Sequence, residues 1–289
     1  MAEIKTVGVV GLGLMGAGIA QTVASAGYTT IVTEVSPEFL ERGLGRIRST
    51  LERQVQKGRL DAAAMEATMN RLQGTLRWED FAACDLVIEA VIENETEKRQ
   101  VFATLDRVCP EHTILASNTS SIPIMSMAAA TKRPDRVLGM HFFNPVPVMK
   151  LVEIVKALTT SPATIDTASA FARSLGKEPI QAPDRPGFIV NMLLVPYLLA
   201  AVRMLESGYA SKEDIDRGMV LGANHPMGPL TLLDFVGLDT TLYIADIFFN
   251  EYKDPAYAAP VLLRQMVRAG YLGRKSGRGF YDYSTEPPR

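Results

Sequence analysis

Residues 5–10, KTVGVV, form a β-branched apolar run that stops at a glycine, the pattern of a strand buried on both faces. LMGAGIAQTVASAG follows with apolar residues at helical spacing and ends at Gly27, a helix C-cap. TTIVTE reads as a second strand. SPEFLERGLGRIRSTLERQVQKG then opens on a Ser-Pro helix start and runs long and amphipathic to Gly58. After a further helical piece come CDLVIEAV (84–91), a helix near 95–108, TILASN (113–118) and RVLGMHF (136–142). Strands alternating with helices predict an α/β unit with a parallel, doubly wound sheet. MKLVEIV (149–155) alternates differently, and a helix near 162–175 followed by EPIQAP predicts that later strands finish the sheet.

PDRPG at 183–187 is the clearest punctuation in the chain, placed where strand-type runs cease. Beyond it the pattern predicts helices at 187–207, 211–221, 227–236, 238–250 and 259–269. The expected organisation is therefore an α/β domain over 1–185 and an all-helical domain over 186–289. GFIVNMLLVPYLLAAV (187–202) imitates a membrane span, but it is shorter than the roughly 18–20 apolar residues a spanning helix needs. It also contains Asn191 and Pro196, so a buried or interface helix is expected.

Composition changes this picture little. With 47% hydrophobic and 21% charged residues the chain reads as globular, and its net charge of −2 offers no electrostatic reason to bind nucleic acid or an anionic membrane. The two cysteines, Cys84 and Cys109, are too few for a disulfide framework and have no metal-ligand spacing, so no metal is expected. MAEIKTVGVVGLG lacks the basic n-region and apolar block of a leader, which reads as cytoplasmic.

GLGLMG places Gly11, Gly13 and Gly16 in G-x-G-x-x-G spacing, between a predicted strand and a predicted helix. That context makes the pattern a dinucleotide-binding turn built from Gly11, Leu12, Gly13, Leu14, Met15 and Gly16. Gly11 permits the tight turn, Gly13 lets a pyrophosphate approach the backbone, and Gly16 lets helix and strand pack closely. Glu34 ends the second strand eighteen residues past Gly16. An acid there accepts from a ribose 2′-OH and repels a 2′-phosphate, which favours NAD over NADP.

HFFNPVPVMKLVEI (141–154) holds one of only 3 histidines. Oxidising a secondary alcohol requires a base for the hydroxyl proton, and an imidazole with an ordinary pKa of about 6.5 is suited to it. Such a base needs a partner that fixes its tautomer, commonly a buried carboxylate. If 145–148 turn the chain and 149–155 run back antiparallel, His141 and Glu153 face each other. Spacing alone leaves each open to being an ordinary loop or strand-edge group.

Taken together, GLGLMGAGIAQ, DLVIEAVIEN, ASNTSS, HFFNPVPVMKLVEI, DRPGFIVNMLLVPYL, GANHPMGPLTLLDFVGLD and GRKSGRGFYDY resemble the short-chain L-3-hydroxyacyl-CoA dehydrogenase family, in order and over essentially the whole chain. The resemblance implies a Rossmann-type domain followed by a helical domain that mediates homodimerisation, an NAD cofactor and an acyl-CoA substrate. It implies a catalytic pair His141–Glu153, with Ser120 serving substrate and cofactor and Asn191 hydrogen-bonding the acyl group. Glu93, Lys98, Asn144 and Lys275 match cofactor contacts. Arg53 and Lys57, on the long second helix, match basic groups facing the CoA phosphates. The chain departs from the family pattern in three places: Glu34 stands where Asp is frequent, Arg53 where a lysine is usual, and His225 where an aromatic such as Tyr is common. His225 is expected to be a loop or packing residue and His112 to face solvent. The rival readings are a dehydrogenase of a free hydroxy or sugar acid, and a nucleotide-binding protein that has kept the fold without the chemistry.

Overall fold

A computed structural model describes residues 4–285. One compact unit ends at Arg185 and a second begins at Pro186. The first runs β1 (Thr6–Val10), α1 (Leu14–Ser25), β2 (Thr29–Thr33), α2 (Pro37–Gln56), α3 (Ala62–Asn70), β3 (Leu72–Thr75), β4 (Leu86–Glu89), α4 (Glu95–Val108), β5 (Ile114–Ser117), α5 (Ile124–Ala128), β6 (Val137–Phe142), β7 (Leu151–Lys156), α6 (Pro162–Ser174) and β8 (Glu178–Pro183). The second is helical: α7 (Val190–Glu206), α8 (Lys212–Gly222), α9 (Pro229–Val236), α10 (Leu238–Tyr252) and α11 (Val261–Arg268).

The eight strands form one sheet in the order β3-β2-β1-β4-β5-β6-β7-β8. The first six strands in chain order are mutually parallel, as the alternating pattern predicts. β4, β5 and β6 are buried at every position, which is why they read as unbroken apolar runs rather than as alternation. β7 returns antiparallel to β6, and β8 lies parallel to β7, so the last two strands oppose the rest. β3, LQGT, has no counterpart in the sequence reading. It is a four-residue edge strand, half-buried only at its ends, and too short and polar to leave a periodic signal.

α2 begins as its Ser-Pro start predicts: Ser36 caps it by accepting from Phe39 N at 3.3 Å, with Pro37 next. It buries Gly43, Ile47 and Leu51, spaced one turn apart, and leaves its basic face outward. Gly43 is required by packing, since a Cβ there would lie 2.4 Å from Leu12 Cβ in the glycine turn. Cys84 and Cys109 are buried and free, and burial pushes the Cys109 thiol up to about 12.

In the second unit, α7 buries Val195, Leu198, Leu199, Ala201 and Val202 in a core shared with the other helices. Among the described residues no helix is long and apolar enough to cross a membrane. The C-terminal segment GRKSGRGFYDY is latched by two buried carboxylates. Asp234 accepts from Phe280 N (2.8 Å), Tyr281 N (2.9 Å) and Tyr283 Oη (3.0 Å). Asp216 accepts from Leu230 N (2.7 Å), Thr231 N (2.9 Å) and Tyr281 Oη (3.1 Å). The glycine at 279 leaves room for this: a Cβ there would fall 1.9 Å from Asp234 Oδ1.

Candidate active site

Most candidates of the first unit lie at or just past the carboxyl ends of the parallel strands; Lys98 stands on α4, Glu153 on antiparallel β7, and Arg53 and Lys57 at the end of α2. At β1, Gly11 has φ +89 and donates its N–H to Thr33 O at 2.9 Å, a conformation that disfavours any side chain. A Cβ on Gly16 would sit 1.8 Å from Gly11 O, so the helix is locked against the turn. Gly13 differs: a Cβ there meets nothing within 4 Å. It is the N-cap of α1 and caps the helix with no side chain. The turn thus presents open space in front of the unsatisfied N–H groups of a helix start, a fit for a pyrophosphate. Glu34, at the end of β2, turns back onto this turn. Its carboxylate accepts from Leu12 N at 2.7 Å and Val35 N at 3.1 Å.

Beneath the next two strand ends lies a buried ionic network. Glu89, fully buried at the end of β4, accepts from Lys98 Nζ, Ser117 Oγ and Val91 N, each at 2.7 Å. Lys98 Nζ also lies 3.3 Å from Glu93. Glu93 accepts from Ser120 N and Ser121 Oγ at 3.0 Å each and from Thr119 Oγ1. Burial on its own would raise the Glu93 carboxyl, but Lys98 and these hydroxyl and amide donors outweigh it and hold the group below its ordinary value. Lys98 is only 1% exposed, so of the two predicted cofactor contacts on this segment only Glu93 has access to solvent. Lys98 reaches the surface through Glu93, and Glu93 shapes the loop that carries Ser120. Glu89 is a residue the motif reading missed; its side-chain partners lie nine and 28 residues away, beyond any local signal.

The hairpin of β6 and β7 brings His141 directly opposite Glu153 in the ladder. His141 Nδ1 lies 2.7 Å from Glu153 Oε2 with both side chains buried. Phe143 packs on the imidazole with ring centroids 4.6 Å apart. Asn118, inside the SNTSS stretch, accepts from Phe142 N at 2.9 Å and so ties the serine loop to the histidine strand. Asp184 accepts from Ile124 N (2.7 Å) and Met125 N (2.8 Å), anchoring the far end of the same loop. Asn144 is exposed just past the end of β6.

The remaining candidates lie apart from this group or on the second unit. On α2, Arg53 Nε donates to Ser49 O at 3.2 Å, and Lys57 is the C-cap. Both line a shallow hollow of about 230 Å³ with Thr50, Gln54 and Arg59. Asn191 is half-buried in the first turn of α7. Lys275 pairs with Asp239 at 2.6 Å. His225 packs edge-on against Tyr197 and its Nδ1 lies 3.2 Å from Tyr197 Oη, consistent with a packing residue. His112 is half-exposed, 3.3 Å from Asp85.

This fold and these motifs define a class, and comparison with known proteins agrees. The family 3-hydroxyacyl-CoA dehydrogenase, NAD binding domain, matches residues 6–185, and 3-hydroxyacyl-CoA dehydrogenase, C-terminal domain, matches residues 187–283. The chain therefore belongs to the 3-hydroxyacyl-CoA dehydrogenase family, whose NAD-dependent oxidoreductases use the cofactor that the glycine turn fits. Among its relatives, a 3-hydroxybutyryl-CoA dehydrogenase of Mycobacterium tuberculosis is 52% identical over 97% of this chain and 99% of its own. A probable 3-hydroxybutyryl-CoA dehydrogenase of Bacillus subtilis is 49% identical over 98% and 99%. The crystal structure of (S)-3-hydroxybutyryl-CoA dehydrogenase from Ralstonia eutropha superposes with a TM-score of 0.94 at 46% identity, covering 98% of this chain and 100% of that one.

Proposed function

We propose that this protein interconverts (S)-3-hydroxyacyl-CoA and 3-ketoacyl-CoA thioesters, with 3-hydroxybutyryl-CoA as the first candidate substrate. The observation that carries the reading is the buried His141–Glu153 contact of 2.7 Å at the carboxyl end of the sheet. With Nδ1–H donated to the carboxylate, the lone pair resides on Nε2, the atom assigned to take the C3 hydroxyl proton. Glu153 steadies the imidazolium that results. In the reverse direction the same imidazolium protonates the alkoxide. NAD, when bound, supplies the acceptor for the hydrogen that leaves C3. Ser120 and Asn191 are assigned to the substrate oxygens, and such alignment is what makes a proton transfer of this kind fast. Glu34 is assigned to the adenosine ribose, where its charge disfavours a 2′-phosphate. Glu93, Asn144 and Lys275 are assigned to the cofactor, with Lys98 acting through Glu93.

Arg53 and Lys57 are assigned to the CoA phosphates, which two exposed cations can meet without being buried. The helical unit is assigned to homodimerisation. Leu193, Tyr209 and Leu221 are each more than 70% exposed on it, more apolar surface than an isolated helical unit needs to present. Two buried, free cysteines suit a reducing compartment and support the cytoplasm as the site of action.

The test compares acetoacetyl-CoA with free acetoacetate, each with NADH, in wild-type and His141→Ala protein. Turnover of the thioester, falling roughly 10²- to 10⁴-fold in the variant with NADH binding retained, is expected. Preference for the free acid, or normal turnover by His141→Ala, overturns the assignment.

A further inference from the structure

The connection from β6 to β7 has to do two things: reverse the chain so that Glu153 meets His141, and present Asn144. It is held from outside by a residue that none of the assignments above uses. Lys177, between α6 and β8, is 5% exposed, and its ammonium donates to the carbonyls of Val146 and Met149, the latter at 2.7 Å. No carboxylate takes part in these contacts, and burial holds the Lys177 ammonium below its ordinary pKa. A buried cation that meets only carbonyls is costly, and what it achieves here is to satisfy two acceptors of a turn at once.

The same turn is fixed on its other side. Val146 is 2% exposed and packs on α1 at Gly18, where a Cβ would come within 3.0 Å of Val146 Cβ. α1 is the helix that the glycine turn opens. Val148 N and Met149 N both donate to Pro145 O, and Glu178 N donates to Lys150 O at 2.8 Å. The segment after Asn144 is therefore clamped between the dinucleotide helix and the residues around Lys177.

We propose that Lys177 is a positioning residue for the cofactor: by holding Val146 and Met149 it sets Asn144 relative to the glycine turn, and so sets the affinity for the dinucleotide. The proposal rests on the reading of Asn144 as a cofactor contact. Its test is a double-mutant cycle on NADH binding, read by fluorescence titration, over wild type, Lys177→Met, Asn144→Ala and the double variant. Lys177→Met should raise the Kd for NADH about tenfold, a loss of about 1.4 kcal/mol. The KM for acetoacetyl-CoA should stay within about twofold. In the Asn144→Ala background the same change should add less than about twofold, since both act on one contact. Should Lys177→Met not fold, Lys177→Gln, which keeps N–H donors without the charge, takes its place in the cycle. If Asn144→Ala weakens NADH binding while the Lys177 variant leaves Kd unchanged, or if the two effects multiply, the Lys177 proposal is overturned alone. If Asn144→Ala itself leaves Kd unchanged, the Asn144 reading falls and the route proposed for Lys177 falls with it.

Discussion

Each unit ties a pair of carboxylates into a network of donors, and the two pairs are held in different ways. In the first unit Glu89 and Glu93 share the ammonium of Lys98, and hydroxyls and amides fill their remaining positions. In the second unit, among the described residues, Asp234 and Asp216 accept from backbone amides, a threonine and tyrosine hydroxyls. The titration directions follow. Glu93 is held below its ordinary value because the charge of Lys98, joined by hydroxyl and amide donors, overcomes burial, whereas burial dominates at Asp234 and raises it, with the charge of Asp216 adding to the rise. Neutral donors can satisfy a buried carboxylate geometrically without balancing its charge. The first arrangement ties down the loop that carries Ser120. The second suits a latch whose work is to hold the chain's last aromatic segment against α9.

The largest test of this contrast is Lys98→Met, which leaves fully buried Glu89 and partly exposed Glu93 without their shared cation. We expect a loss of about 3–5 kcal/mol in denaturant unfolding of the first unit, because breaking a buried pair strands its partner. Asp234→Ala should cost less, about 2–3 kcal/mol, since it strands two amides and a phenol but no charge. A loss for Asp234→Ala equal to that of Lys98→Met would show that the counter-charge makes no difference between the two networks.

Acid separates the two clusters by sign. Glu93, lowered from 4.5, contributes stability that is present above the unfolded value and is lost as pH falls through the folded one. The deficit of Glu93→Gln relative to wild type should therefore shrink as pH drops below about 4.5. Asp234, raised from 3.8, keeps its proton in the folded state to higher pH than in the unfolded chain. The stability gap between wild type and Asp234→Asn should widen as pH falls through the raised value. Parallel curves for the two variants would contradict this. The smallest expected effect is a baseline outside both clusters: Arg53→Gln should change stability by no more than about 0.5 kcal/mol while raising the KM for acetoacetyl-CoA.

Legibility in the sequence followed the range of the interactions. The glycine turn, the Ser-Pro start of α2 and the helices after PDRPG are local patterns, and the structure places them within a few residues of expectation. The helix expected over 187–207 is observed as Val190–Glu206, and the one expected over 238–250 extends to Tyr252. The His141–Glu153 geometry was legible as a possibility, because an antiparallel return sets residues twelve apart side by side. What stayed hidden depends on distant partners. Lys98 reads from its motif as a cofactor contact, and only the fold brings Glu89 beneath it. GRKSGRGFYDY reads as a family motif but carries no local sign that Asp234, 46 residues before Phe280, grips it. Lys177 follows a helix-ending glycine and carries no motif at all.

The ladder pairs Gly139 with Val155, Met140 with Ile154, His141 with Glu153 and Phe142 with Val152. The imidazole thus meets its carboxylate by counting. A hairpin that took up one extra residue, or lost one, would set His141 across from Val152 or Ile154, and an aliphatic neighbour can neither orient a ring nor stabilise a cation. The length of the 143–150 segment is for that reason as much a chemical specification as the identity of either side chain. It is a ruler that tolerates changes of letter far more readily than changes of number.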